Sequence, residues 1–369
     1  MTQRPSPSAQ TPLRVAVIGC GAIAEQGHLP GAAALPDVAV TALVDKDTAR
    51  AAKLAAKFNM ATTLAEPSNL KAHADATIIA LPPALHAPVT IDLLKQGLHV
   101  LVEKPMARTT GECDAMLAAA KESGATLAVG LVRRFRWGYR AIKTMLEHGM
   151  LGRIESIDVS EGGVFDWPIA SPFFLDRSAA GGGVLADAGV HVLDALLWWF
   201  GDAKQVSYRD DDMGGVEADC ELDLTFGDGA NAHIELSRTR SMRNSTLIRG
   251  ERGSVEVGAY ANTFSFTLSD GAKANSPGWS LGGALTRPDA AAENIFADQL
   301  ADFAAAIREG RSPAVSGEEG RRSVALVQQC YAQRQSLQHP WVFEGVAQDE
   351  TSDRAAGVIS KQTVAGGAA

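Results

Sequence analysis

The chain has 369 residues, of which 46% are apolar and 21% charged, and its formal net charge is −9. This length exceeds what one hydrophobic core serves, so two domains are expected, and no stretch offers the roughly 20 consecutive uncharged apolar residues that a membrane span needs. The acidic balance works against nonspecific attachment to nucleic-acid phosphates, which Lys and Arg drive, and the sequence carries no nucleic-acid module.

Residues 1–12 lack the apolar core and cleavage site of a signal peptide and read as a disordered leader, so the chain is expected in the cytoplasm. From residue 13 to 132, short apolar runs alternate with amphipathic segments. RVAVIG (14–19), VAVTALV (38–44), ATIIAL (76–81), HVLVE (99–103) and TLAVG (126–130) are near-continuous apolar runs, as strands covered on both faces require. KDTARAAKLAAKF and TTGECDAMLAAAKESG between them read as helices, the second closed by Gly124. The expected fold is a parallel, doubly wound α/β domain of the Rossmann type.

GCGAIA, residues 19–24, follows the first strand and matches the G-x-G-x-x-G/A dinucleotide fingerprint. Gly19 permits the tight turn and Gly21 lets the backbone approach a pyrophosphate. Ala24 allows the next helix to pack closely, and its first N–H groups, at Ala22 and Ile23, face the anion. Asp45 ends the second strand, 24 residues beyond Gly21. A carboxylate there accepts the ribose hydroxyls of NAD and repels the 2′-phosphate of NADP, with Lys46 beside it able to tolerate a phosphate in part; the alternative is that Asp45 caps the next helix.

The pattern changes in residues 133–346, which form the expected second, α/β domain. RRFRWGYR (133–140) gathers four arginines, and Arg134 near the domain junction either solvates a helix or reaches a substrate hydroxyl, carboxylate or phosphate. EGGVFDWPIASPFFLDR (161–177) offers Glu161, Asp166, Trp167 and Asp176 as carboxylates and a ring face for a sugar, with structural packing the competing role. GGGVLADAGVHVLDALLWWF (181–200) reads as a buried helix whose Asp187, His191 and Asp194 fall on one polar stripe, the alternative being that Asp187 caps the helix and His191 is a satisfied core histidine. DCELDLTF and ANAHIELS flank GDG as an antiparallel hairpin, and RIESIDVSE, STLIRG, SVEVGAY and TFSFTLS add strands to a large, open, mostly antiparallel sheet. Helices are expected within residues 291–335, packing back on the fold, the second opened by a capping box of Ser316 and Glu319. Residues 347–369 read as a disordered tail. Cys20, Cys113, Cys220 and Cys330 stand singly, without metal-ligand spacing, and are expected to be reduced structural thiols with no metal site.

With GCGAIA, LPPALH (81–86), EKP (103–105) and GGGVLADAGVHVLD (181–194) in this order and spacing, residues 13–340 resemble the glucose-fructose oxidoreductase and inositol dehydrogenase family, Gfo/Idh/MocA. The resemblance implies hydride transfer between a nicotinamide and a carbon of a sugar or cyclitol, the small-molecule partner. It places Lys104, Asp187 and His191 around that carbon, with Leu81, Pro82, His86 and Glu103 on the cofactor side; for His86 a structural role at a helix N-terminus is the alternative. The sequence has Leu-Pro-Pro where the family usually has Thr-Pro-Asn. The residues suit the chemistry. His191 titrates nearest neutrality and can take the hydroxyl proton, Asp187 can orient its ring or grip a substrate hydroxyl, and Lys104 can polarise the reacting oxygen. An NAD-assisted glycosidase and a nicotinamide- or sugar-sensing regulator are the alternatives. A homodimer or homotetramer joined through the outer sheet face is also implied.

Overall fold

The computed structural model describes residues 11–60, 62–165, 172–212, 215–260, 264–271, 273–275 and 294–337. The expected tail, most of the leader, and Asp166 and Trp167 lie outside these residues.

Six strands, β1 (Leu13–Ile18), β2 (Val38–Val44), β3 (Thr63–Leu64), β4 (Ala76–Ile79), β5 (His99–Val102) and β6 (Leu127–Val129), form a parallel sheet in the order β3-β2-β1-β4-β5-β6. Val15, Val17, Ile78, Ile79, Val100 and Val102 are fully buried because helices cover both faces, which explains the continuous apolar runs. The strand order reverses between β1 and β4, so the segments after these strands, beginning at Gly19 and Ala80, face each other at the crevice where such sheets bind ligands. The short helix α1 (Leu29–Ala33) follows β1, α2 (Thr48–Lys57) follows β2, α3 (His86–Lys95) follows β4, and α4 (Thr110–Ser123) follows β5. The last of these ends on Gly124 at φ +69°, as expected, and opens on a capping box of Thr109 and Glu112.

After α5 (Trp137–Glu147) come β7 (Ile154–Gly162), α6 (Arg177–Ala180), α7 (Val190–Phe200), β8 (Ala203–Asp210), β9 (Asp219–Phe226), β10 (Asn231–Ser237), β11 (Ser245–Gly250), β12 (Gly253–Gly258), β13 (Phe264–Leu268) and β14 (Lys273–Asn275). With β15 (Arg334–Ser336) they give a second sheet, ordered β14-β13-β12-β11-β7-β10-β9-β8-β15. It is mostly antiparallel, but β7 inserts between β10 and β11 and runs parallel to β10, and β15 runs parallel to β8. In the hairpin, Cys220, Leu222 and Leu224 stand opposite Leu236, Ile234 and Ala232, all buried, so the alternation in sequence is the inward face of the sheet.

Two late helices pack against the rest of the fold. From α8 (Ile295–Glu309), Leu300, Phe303 and Ala304 complete the core under β1 and β4, and α9 (Gly317–Ala332) packs on α4 and α7. The capping box at α9 is not formed. Ser316 makes no side-chain cap, and the Glu319 carboxylate is drawn to the guanidinium groups of Arg134 and Arg322. The stretch Arg177–Phe200 is long and apolar enough by composition to cross a membrane, yet 78% of its most apolar window is buried inside the protein, as a core helix is. All four cysteines are free and buried.

Candidate active site

The glycine turn meets its expected demands. Gly19 sits at φ +94°, and a Cβ there would lie 2.4 Å from the Ala80 carbonyl oxygen, so only glycine fits. A Cβ on Gly21 would meet nothing within 4 Å, which leaves open space over the helix start where a pyrophosphate would approach. The helix begins at Ala22 and passes through a wide, π-type turn, Ala24–His28, into α1, so the N–H groups of Ala22 and Ile23 are among those a helix leaves free. Asp45 is buried and turned toward this turn: its Oδ2 accepts from Cys20 N at 2.9 Å and its Oδ1 from Asp47 N at 2.9 Å. The helix cap is Asp47, which accepts from Arg50 N. Arg50, not the exposed Lys46, is the cation beside Asp45, at 3.6 Å. The open cradle and the inward carboxylate fit a dinucleotide.

His86 is fully buried, with Nδ1 2.8 Å from the Pro105 carbonyl and Nε2 2.7 Å from the Leu81 carbonyl. Neither ring nitrogen is left for a cofactor; His86 ties the Leu81–Pro82 turn to the segment after β5. Glu103 is likewise committed: one carboxylate oxygen lies 2.8 Å from His28 Nε2 and the other accepts from Lys104 N at 3.1 Å. Burial pushes its carboxyl up, but His28 and Lys104 outweigh this and hold it below its ordinary value.

A charged cluster forms where β5 ends. Lys104 Nζ donates to Asp187 Oδ1 at 2.6 Å and to the Asp187 carbonyl at 2.9 Å. The second carboxylate oxygen of Asp187 accepts from Arg238 Nη2 at 2.6 Å, and that guanidinium lies 4.8 Å from the Phe165 ring centroid. Burial opposes the charge on Asp187, yet Lys104 and Arg238 keep its carboxyl below the usual range. The expected polar stripe is therefore divided. A π-type turn, Leu185–Gly189, precedes α7 and breaks the i, i+4 spacing, so Asp187 holds Lys104 and not the His191 ring. Nor does Asp187 cap the helix. His191 is part-exposed, and its enclosed Nδ1 has no partner among the described residues. Burial, then the charges of Lys104, Arg133 and Arg136, drive its pKa well below the ordinary imidazole value.

Several expected substrate contacts turn out to be structural. Arg134 is 5% exposed and forks onto Asp194 at 2.8 and 2.6 Å, with Glu319 at 2.5 Å, so its charge is spent inside the protein, and Asp194 is its buried counter-ion. Glu161 is paired in the same way with Arg133, and Asp176 caps α6. Among the described residues no cluster could hold a metal ion. Sequence reasoning missed Arg238, His28 and Arg50. Their signals were slight: an arginine just past a strand end, a histidine in the helix after the fingerprint, and a cation one turn beyond Asp45.

Residues 13–131 match the family model described as "Oxidoreductase family, NAD-binding Rossmann fold", and residues 139–256 match the Gfo/Idh/MocA C-terminal domain. The chain belongs to the Gfo/Idh/MocA family. It is 28% identical over 339 residues to the dTDP-3,4-didehydro-2,6-dideoxy-alpha-D-glucose 3-reductase of Actinomadura kijaniata, covering 87% of this chain and 96% of that one. It is also 28% identical over 253 residues to the scyllo-inositol 2-dehydrogenase (NADP(+)) of Bacillus subtilis, covering 66% and 76%. The crystal structure of an aldose-aldose oxidoreductase from Caulobacter crescentus complexed with glycerol superposes with a TM-score of 0.77 at 26% identity, over 87% of this chain and 97% of that one. This Gfo/Idh/MocA chain is thus an oxidoreductase with an NAD-binding domain.

The surroundings of His191 predict a neutral ring throughout the neutral range. In an NMR titration, the His191 signal, assigned by its loss in His191→Asn, should move only at pH well below 6.5. A midpoint at or above 6.5 would show that the cations nearby do not act on the ring.

Proposed function

We propose that this protein transfers hydride between NAD(H) and a secondary alcohol or ketone carbon of a sugar, sugar derivative or cyclitol. The observation that carries the reading is the Lys104 ammonium fixed 2.6 Å from Asp187 near His191, whose Nδ1 has no partner among the described residues, at the edge of the sheet that bears the dinucleotide turn. Bound NAD supplies the hydride acceptor. The alcohol must then lose its hydroxyl proton, and His191 Nε2, at the end of the ring that is not enclosed, is the atom assigned to take it. Lys104 stabilises the negative charge that develops on the oxygen, and Asp187 and Arg238 keep the ammonium aimed. The named relatives act on sugars and a cyclitol as reductases or dehydrogenases, which favours this reading over the NAD-assisted glycosidase and the sensor. A cytoplasmic homodimer or homotetramer remains part of the proposal; its contact would be the outer face of the larger sheet, where Asp158, Arg209, Glu221 and His233 are part-exposed.

The test is to incubate the protein with NAD and a panel of sugars, glycosides and cyclitols. NADH should accumulate with at least one of them, and cleavage of a glycoside without net NADH would contradict the proposal.

Asp45 further implies tighter binding of NADH than of NADPH, moderated by Arg50, whose guanidinium can turn from Asp45 and Asp47 to a phosphate. In fluorescence titrations, Asp45→Asn should narrow the preference by roughly tenfold, the scale of one charged hydrogen bond. A wild-type protein that binds NADPH more tightly than NADH would remove Asp45 from the ribose site.

A further inference from the structure

The helix that carries Asp187 and His191 starts without a cap of its own. Its first residue, Val184, has no side chain able to receive the N–H groups of the opening turn. Those groups are received instead from a distant part of the chain. Glu217, in the segment ahead of β9, is completely buried, and its Oε1 accepts from Gly183 N at 2.9 Å, from Leu185 N at 3.1 Å and from the Tyr331 hydroxyl at 2.7 Å. Its backbone carbonyl accepts from Val184 N at 2.9 Å. One residue therefore takes three consecutive N–H groups at the point where the reactive helix begins.

Two of the three glycines, Gly182 and Gly183, make this approach possible. A Cβ on Gly183 would lie 1.9 Å from the Glu217 carbonyl oxygen, and one on Gly182 would lie 1.9 Å from the Tyr331 hydroxyl oxygen. A carboxylate at a helix N-terminus is favoured by the helix dipole, although burial pushes the Glu217 carboxyl up from its ordinary value. Gly182 and Gly183 thus serve close contact with Tyr331 and Glu217.

We propose that Glu217 is a positioning residue for the reaction: its side chain and carbonyl hold the start of the helix so that Asp187 meets Lys104 and His191 faces the substrate. This rests on the catalytic reading above. Asp187 lies two residues beyond Leu185, so loosening the first turn moves the carboxylate that aims Lys104. A displacement of about 1 Å at a reacting group can slow a reaction roughly 10²-fold.

The experiment compares full-length wild type, Glu217→Leu and Glu217→Gln, once the panel has supplied a substrate that wild type turns over. Hydrogen exchange of the segment 183–191 reads the anchoring without any turnover, so failure of the catalytic reading and failure of this proposal are separable. Glu217→Leu should exchange faster there and lose roughly 10²-fold in kcat, with the Kd for NADH within about twofold of wild type. Glu217→Gln, which keeps an acceptor oxygen for the two N–H groups, should restore protection and bring kcat to within about tenfold of wild type. The proposal is overturned if Glu217→Leu melts earlier but keeps the wild-type kcat, if segment 183–191 exchanges as in wild type, or if Glu217→Gln is as slow as Glu217→Leu despite restored protection.

Discussion

One carboxylate joins the parts of this molecule that must meet for the proposed chemistry. Asp187 receives Lys104 from the end of β5 and Arg238 from just past the end of β10, while sitting itself in the turn that opens α7. Three segments far apart in sequence, from both sheets, converge on two oxygen atoms. Taking these charges from water is costly, and their mutual attraction offsets that cost only where each is paired. With two cations on one anion, the cluster keeps a net positive charge, which suits a site where an oxygen becomes negative. Burial, then the charges of Lys104, Arg133 and Arg136, disfavour a further positive charge on His191.

Around this centre the buried charges are paired and hold the walls. Arg133 with Glu161, Arg134 with Asp194 and Glu319, and His28 with Glu103 each link one helix or strand end to another. An apolar helix carrying Asp187, His191 and Asp194 has two separate reasons for its polar residues. In the proposed mechanism Asp187 and His191 face the reaction, whereas Asp194 neutralises the Arg134 guanidinium, which lies over the Trp198 ring. His86 adds a tie between the loops after β4 and β5, so the cofactor side and the lysine side are set in one frame.

Much of this was legible in the sequence because it depends on local patterning. The run VAVTALV is β2 and DCELDLTF is β9 at the residues their apolar patterns mark, and GCGAIA stands at the strand order's reversal. The two-residue β3 is too short to leave a pattern, and the parallel insertion of β7 is a matter of long-range pairing that alternation does not encode. The π-type turn broke a spacing argument that assumed a regular helix, and with it the expected contact between Asp187 and His191. Arg134 looked available to a substrate because its partners, Asp194 and Glu319, lie 60 and 185 residues away. The same distance in sequence hid Arg238 from Asp187. The anchoring of the helix by Glu217 across 34 residues was hidden for the same reason.

The central claim is that Lys104 and His191 act on one oxygen as a unit. Single-turnover hydride transfer measured in wild type, Lys104→Met, His191→Ala and the double variant tests it most directly. Each single change should slow the step by roughly 10²- to 10⁴-fold, with the double variant little slower than the worse single one. Near-full rates in both folded single variants, or losses that simply multiply in the double variant, would contradict the account.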